Sequence, residues 1–141
     1  MRNSVLIVFF VLLIAIVVVA QTKPQVQNVP ARYTSAASGK EMYNSYCASC
    51  HGMTGKGDGP AASAMKSPVP DLTMLTKSHG GTFPALQVKQ SIEGDTEVAA
   101  HGSKDMPVWG PVFSRMSQQS TGEIQQRLHN LTDYVESLQA K

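Results

Sequence analysis

The sequence predicts an all-α domain that spans residues 38–141 of a 141-residue chain. Two stretches carry apolar residues at helical spacing behind capping signals, and no stretch alternates apolar and polar residues as a half-exposed strand would. The 11 glycines and 8 prolines indicate that the helices are short and joined by substantial loops. The length suits one domain and leaves little room for a second.

The first predicted helix begins after Ser38, where Ser38-x-x-Glu41 has the pattern of a capping box. In such a box the serine and glutamate side chains accept backbone N–H groups of the first turn. Met42, Tyr46 and Cys50 then recur at intervals of four residues. Because residues at this spacing lie on one side of a helix, we expect this face to meet the core.

The longest predicted helix follows a second capping-box pattern, Ser120-x-x-Glu123, and runs for about 18 residues. Its apolar positions have helical spacing: Ile124, Leu128, Leu131, Val135 and Leu138. A shorter helix is predicted from Pro84 to Ile92, because proline suits a first helical turn and Gly94 follows the end. Its residues available for the core are Leu86, Val88 and Ile92.

The amino-terminal segment has the layout of a secretory signal, because Arg2 precedes a run in which every residue from Val5 to Ala20 is apolar. Small residues before the end of this run predict cleavage after Ala20. The competing hypothesis is an uncleaved membrane anchor, since a spanning helix needs about 17–25 apolar residues and this run is near the short limit. Both hypotheses predict export to the periplasm. Residues 21–37 lack an apolar period and are predicted to form a flexible linker.

Neither a nucleic acid nor a nucleotide is expected as a partner. The formal net charge is only +2 and the basic residues form no run, whereas a nucleic acid partner requires a concentrated positive surface. Gly55, Gly57 and Gly59 could indicate a phosphate cradle, but no strand is predicted before them and no long helix after them.

The only two cysteines stand together in Cys47-Ala48-Ser49-Cys50-His51, and three interpretations of this pattern compete. A redox-active dithiol uses two cysteines at this spacing. Half of a zinc site would need a second Cys/His pair, which the sequence lacks at finger-like spacing. Covalent attachment of haem c is indicated by the histidine that directly follows the second cysteine.

The spacing and the predicted export favour haem c. Two thiols three positions apart at a helix end can each add to one vinyl group of the same porphyrin. The imidazole of His51 can then lie beneath the ring and bind the iron. Maturation of c-type haem proteins takes place beyond the membrane, where the amino-terminal segment directs the chain. We therefore expect one haem, attached through Cys47 and Cys50 and bound on its proximal side by His51.

A low-spin electron carrier also needs a sixth iron ligand, usually a methionine sulfur or a second imidazole. Met106 is the strongest candidate, because it lies in a glycine- and proline-pinned loop far enough downstream to cross the distal face. Pro107 biases the backbone of Met106 towards an extended conformation, which helps to aim its side chain. His101 and His79 remain alternatives.

These motifs resemble class I cytochromes c, in particular small bacterial monohaem forms of the cytochrome c6/c-555-like kind. Besides the haem motif, three segments match the family's amino-terminal helix, distal-ligand segment and carboxy-terminal helix. In this order they are Gly39-x-x-x-Tyr43-x-x-x-Cys47, Met106-Pro107-x-Trp109-Gly110 and Leu131-x-x-Tyr134-Val135. The resemblance covers residues 38–138, essentially the whole predicted domain.

The resemblance implies a class I cytochrome c fold, with three to five helices wrapped around one covalently bound haem. It implies that the two terminal helices cross closely beside Gly39. A proline carbonyl is expected to accept the second N–H of the proximal imidazole, with Pro60 as first candidate and Pro68 as alternative. The loop 68–73 resembles one that folds over the haem in related bacterial cytochromes. Trp109 either only packs or also donates its indole N–H to a haem propionate.

The expected function is one-electron transfer between redox protein partners, either a membrane respiratory complex or an exported dehydrogenase, with no catalytic residue. The alternative is a haem enzyme or gas sensor of a peroxidase-like kind, which requires a sixth position that is open or easily vacated. A further hypothesis is a fixed subunit of a membrane complex. Retention of residues 5–20 as an anchor would favour it.

Overall fold

A computed structural model describes residues 31–94 and 106–140, and within these ranges every regular element is helical. The described elements are α1 Gly39–Tyr46, α2 Ala48–His51, the 3₁₀ turns Ala62–Ala64 and Leu72–Met74, α3 Leu75–Ser78, α4 Ala85–Glu93, α5 Gly110–Met116 and α6 Thr121–Ser137. The predicted all-α class is confirmed. Across these two ranges no helix is both long and apolar enough to cross a membrane. The predicted signal or anchor at residues 5–20 lies outside the described residues.

The first predicted helix divides into α1 and α2, which form one helical stretch interrupted at Cys47. If α1 and α2 are counted as one helix, the described part of the chain has five α-helices, within the three to five that the family resemblance implies. The hydroxyl of Ser38 accepts the backbone N–H of Glu41 at 3.2 Å, so the serine half of the predicted capping box is present. Met42 and Tyr46 are buried, which confirms that this helix face meets the core.

The helices α1 and α6 cross at Gly39. A side chain at this position would collide with the backbone carbonyl of Asn130, so only glycine permits the approach. Beside the crossing, the rings of Tyr43 and Tyr134 pack with centroids 5.2 Å apart and planes tilted by 52°, a geometry that aromatic pairs favour. The close helix crossing implied by the family resemblance is therefore present.

The helix α6 has 17 residues, close to the predicted length, but its start differs from the prediction. The side chain of Ser120 makes no capping hydrogen bond, so the second capping box is wrong. Glu123 instead accepts a hydrogen bond from the guanidinium of Arg127 at 2.8 Å. Because Arg127 is fully buried, its charge requires a nearby acceptor, and this requirement outweighs the cap.

The helix α4 begins and ends close to the predicted positions. Gly94 ends it in the left-handed conformation, with φ 84°. Val88 and Ile92 are buried, whereas Leu86 is 67% exposed, so the expectation that Leu86 joins the core is wrong. Residues four apart share a helix face, but Leu86 precedes Val88 by two positions and therefore points about 200° away from it.

Residues 32–36, within the predicted linker, pack against the helices. Thr34 is only 1% exposed, and its hydroxyl lies 2.7 Å from the hydroxyl of Tyr46. The guanidinium of Arg127 lies 5.1 Å from the ring centroid of Tyr33, within cation–π distance. The packed part of the chain therefore begins before residue 38.

We expect Gly39→Ala to lower the free energy of unfolding by about 1–3 kcal/mol, because the added methyl group forces the two helix backbones apart. Denaturant unfolding of the purified protein measures the change. Gly122→Ala is the matched control, since Gly122 lies on α6 and faces open space; its stability should be unchanged or slightly higher. Equal losses in the two variants would contradict the role of the crossing.

Candidate functional site

The two cysteines and His51 lie on a single helical turn that follows α1 without a loop. The carbonyl of Cys47 accepts the backbone N–H groups of Cys50 at 3.1 Å and of His51 at 2.9 Å, which fixes the spacing of the three residues. Both thiols are free and half-buried. Burial, together with the neighbouring Cys50, raises the pKa of Cys47 to about 12. A redox dithiol needs the opposite shift, because its attacking cysteine has a lowered pKa.

The glycine-rich loop after α2 turns back and closes the carbonyl end of that helix. Three backbone N–H groups of the loop donate to its last three carbonyls, which have no partner within the helix. The pairs are Gly57 to His51 at 2.9 Å, Gly59 to Cys50 at 3.1 Å and Ala61 to Ser49 at 2.8 Å. A side chain at Gly59 would collide with the carbonyl of Ser49. The glycines therefore allow the loop to pack directly against the cysteine turn.

The ring of His51 is buried and oriented. Its exposure is 8%, and Nδ1 lies 3.3 Å from the carbonyl oxygen of Pro70. Because a carbonyl can only accept, Nδ1 carries the proton and Nε2 retains a free lone pair. Burial lowers the pKa of His51 below its ordinary value, and the hydrogen bond to Pro70 opposes part of this effect. The imidazole is therefore neutral near pH 7, which is the form that binds a metal.

The acceptor for the His51 ring differs from the sequence prediction. Neither of the two expected prolines, Pro60 or Pro68, is the acceptor, and Pro70 provides the carbonyl instead. The backbone N–H groups on either side of Pro60, those of Gly59 and Ala61, donate to carbonyls of α2, so the chain at Pro60 is tied to the cysteine turn and not to the imidazole. The family pattern of a proline carbonyl holds, but at a later proline.

The chain around Pro70 is held by two further contacts. The backbone N–H of Leu72 donates to the carbonyl of Gly55 at 2.7 Å, which ties this segment to the loop after His51. The carboxylate of Asp71 accepts the backbone N–H of Thr73 at 2.9 Å and turns the chain directly after Pro70. The Pro70-Asp71 pair was a usable turn signal in the sequence, although it does not reveal which side chain the turn faces.

Met106 lies half-buried against the hydrophobic core, at the start of the segment that leads into α5. This segment is attached to the end of α4. The backbone N–H of Trp109 donates to the carbonyl of Ile92 at 2.9 Å. Gly94 approaches Val108 so closely that a side chain at Gly94 would collide with it. These two contacts hold the backbone at residues 108 and 109, directly after Met106, against the end of α4.

An aromatic stack joins the Met106 segment to the cysteine turn. The rings of Trp109 and Tyr46 lie 4.8 Å apart with an interplanar angle of 28°, and Tyr46 directly precedes Cys47. This contact confirms that Trp109 packs, while a contact with a haem propionate stays a prediction. Tyr46 was predicted only as a core residue. In the sequence, the only indication that Tyr46 has a role at the site is its position directly before Cys47.

Of the two alternative distal ligands, His79 and His101, the structure describes only His79. His79 is exposed at the end of α3, and its Nδ1 lies 2.8 Å from the carbonyl of Leu75 in the same helix. His101 lies outside the described residues. Of the candidates that the structure describes, Met106 is half-buried against the core and His79 is exposed.

The donor set fits covalently attached haem. Two free thiols share one helical turn with a neutral, buried imidazole whose Nε2 carries a free lone pair. The loop after α2 is bonded to this turn, and His51 is buried. This is the chemistry that thioether formation and proximal iron binding require.

The helical fold and this site together define a class I, monohaem cytochrome c. Residues 34–124 match the family described as cytochrome c oxidase, cbb3-type, subunit III, and the chain belongs to this cytochrome c family. It is also 33% identical over 103 residues to cytochrome c-554(547) of Halothiobacillus neapolitanus, an alignment that covers 73% of this chain and 96% of the relative. No solved structure matches significantly. The predicted haem c is thereby confirmed.

We expect Gly59→Ala to destabilise the protein by about 1–3 kcal/mol and to reduce the yield of haem-bearing protein, because the methyl group pushes the loop away from α2. Chemical unfolding and the ratio of haem absorbance to protein measure the two effects. Gly80→Ala is the control. Gly80 has a positive φ of 67° and no neighbour within 4 Å of an added methyl group, so its cost is about 1 kcal/mol of backbone strain without loss of haem. A normal haem yield in Gly59→Ala would contradict the role of the loop.

Proposed function

We propose that this cytochrome carries single electrons between redox protein partners outside the cytoplasm and is not an enzyme. In this proposal Cys47 and Cys50 hold the haem through thioether bonds, His51 is the proximal iron ligand and Met106 is the distal one. The observation that carries the proposal is the buried ring of His51, whose Nδ1–H is held by the Pro70 carbonyl while Nε2 carries no proton.

The bound haem would supply an iron that changes its charge by one electron. The chain orients its ligand, because the hydrogen bond from His51 to Pro70 fixes the imidazole and increases the basicity of Nε2. Burial raises the pKa of Tyr43, so its hydroxyl stays protonated and donates to the Gly52 carbonyl at 2.8 Å. This contact holds the turn directly after His51.

Support for Met106 comes from its half-buried position against the core and from the attachment of the following residues to α4. A thioether ligand favours ferrous iron and raises the reduction potential relative to two imidazoles. With His51 and Met106 both bound, the iron has no vacant position for a substrate or for dioxygen. For this reason we place electron transfer ahead of a haem enzyme or gas sensor.

We further propose that the chain comprises a signal or anchor at 1–20, a linker at 21–37 whose residues 32–36 pack against the helices, and the cytochrome domain at 38–141. Export to the periplasm is supported by the apolar run behind Arg2 and by the extracytoplasmic maturation of haem c. The partners would be a membrane respiratory complex or an exported dehydrogenase. The mass of the matured protein tests cleavage, because a chain that begins at Gln21 supports a diffusing carrier and a full-length membrane-bound chain supports a fixed subunit.

The optical spectrum of the matured protein, air-oxidised and then reduced with dithionite, tests the proposed function directly. We expect a low-spin ferric spectrum with the weak far-red sulfur-to-iron band. A low-spin spectrum without that band would indicate that the sixth iron ligand is a histidine and not Met106. A high-spin ferric spectrum would indicate open iron and would favour catalysis or gas sensing over electron transfer.

We expect Met106→Ala to abolish the far-red band and to make the ferric protein high-spin, because the sixth position loses its sulfur. Carbon monoxide binding to the reduced variant provides a second measurement. Met65→Ala is the matched control, since Met65 is also half-buried but lies in the loop before Pro68; its spectrum should stay unchanged. A low-spin spectrum with the band intact in Met106→Ala would remove Met106 as the ligand.

A further inference from the structure

The side chain of Gln139, the second residue after α6, is inserted between two backbone groups of the segment that follows Pro70. Its Oε1 accepts the backbone N–H of Thr76 at 2.9 Å, and its Nε2 donates to the carbonyl of Leu72 at 2.7 Å. In an uninterrupted α-helix, the N–H of residue 76 would donate directly to the carbonyl of residue 72. The amide of Gln139 therefore takes the place of one helical hydrogen bond.

The insertion coincides with the junction at which the 3₁₀ turn Leu72–Met74 continues directly into the helix α3. A side chain inserted into the backbone hydrogen-bond ladder distorts a helix locally, which fits the change of helix type at this junction. The amide is firmly oriented, because Nε2 also donates to the carbonyl of Val135 at 3.0 Å. The backbone N–H of Ala140 adds a second tie, donating to the carbonyl of Thr73 at 2.9 Å.

The same segment faces His51 at its other end. While the carbonyl of Leu72 is held by Gln139, the N–H of Leu72 is held by Gly55 at 2.7 Å. Leu72 is therefore fixed from both sides. It lies two residues after Pro70, whose carbonyl accepts the His51 Nδ1–H. A change at Gln139 is thus transmitted over only two residues to the acceptor that orients the imidazole.

We propose that Gln139 is a positioning residue for the proximal ligand, which keeps the Pro70 carbonyl on Nδ1 of His51 and thereby lowers the reduction potential of the haem. Without its amide, the Leu72 carbonyl and the Thr76 N–H lose these partners and are free to pair directly, which changes the position of the chain next to Pro70. An imidazole that donates a hydrogen bond is a stronger electron donor to iron and stabilises the ferric form. This inference rests on the proposed role of His51 as proximal ligand.

The test is the matured Gln139→Leu variant, in which a side chain of similar size replaces the amide. We expect a higher midpoint potential than in the wild type. We also expect solvent exchange of the His51 Nδ1–H, followed by NMR, to be about tenfold faster, the factor that corresponds to a loss of about 1.4 kcal/mol of hydrogen bonding.

Gln139→Glu is the second variant, should the first fail to mature. It retains the acceptor for the Thr76 N–H but places a carboxylate oxygen against the Leu72 carbonyl, so exchange of the His51 Nδ1–H should be faster than in the wild type. The added negative charge lowers the potential by itself, so proton exchange is the measurement for this variant. Gln126→Leu is the matched control, because Gln126 lies exposed on α6; its potential and proton exchange should equal those of the wild type.

Variants that unfold more easily but keep the wild-type potential and His51 proton exchange would overturn the proposal, because Gln139 would then only stabilise the fold. Failure of the proposed function is recognised separately, in the wild type. If its ferric spectrum shows no low-spin, histidine-bound iron, the role of His51 is wrong and the role of Gln139 falls with it.

Discussion

The backbone contact between α1 and α6 at Gly39 is the constraint on which the rest of the structure depends. The helix α1 continues directly into the cysteine turn, so its crossing with α6 sets where that turn lies. The chain leaving the far end of α6 carries Gln139, which holds the segment next to Pro70. Gly39 is the first residue of α1, so the crossing fixes the start of the helix that leads into the cysteine turn.

The proximal side of the site is built almost entirely from neighbouring parts of the chain. The loop after α2 returns within ten residues and occupies the three carbonyls that the helix leaves free. The same loop reaches the segment of Pro70 through the contact between Gly55 and Leu72. His51 is therefore enclosed by backbone groups, which bury it, keep it neutral and hold its Nδ1–H in one direction. One arrangement thus both orients the ligand and adjusts its electron donation.

A buried polar cluster centred on Arg127 ties the segment before α1 to the helices. Its guanidinium donates to Glu123 at 2.8 Å and to the hydroxyl of Ser117 at 3.2 Å. A buried charge is costly unless it is paired, so the buried Arg127 depends on these partners. The cluster includes Thr34, which contacts the hydroxyl of Tyr46. Through the stack on Trp109, Tyr46 links the cluster to the segment of Met106.

The haem motif, the all-α class and the positions of α1, α4 and α6 followed from the sequence alone, because each depends on residues within one turn or one helical period. The tertiary structure alone decided that Pro70 replaces Pro60 as the partner of His51, that Glu123 pairs with Arg127, and that Gln139 enters the backbone ladder. These contacts depend on which distant segments meet. A backbone carbonyl is the same group at every residue, so the sequence does not indicate which carbonyl accepts a hydrogen bond from a buried side chain.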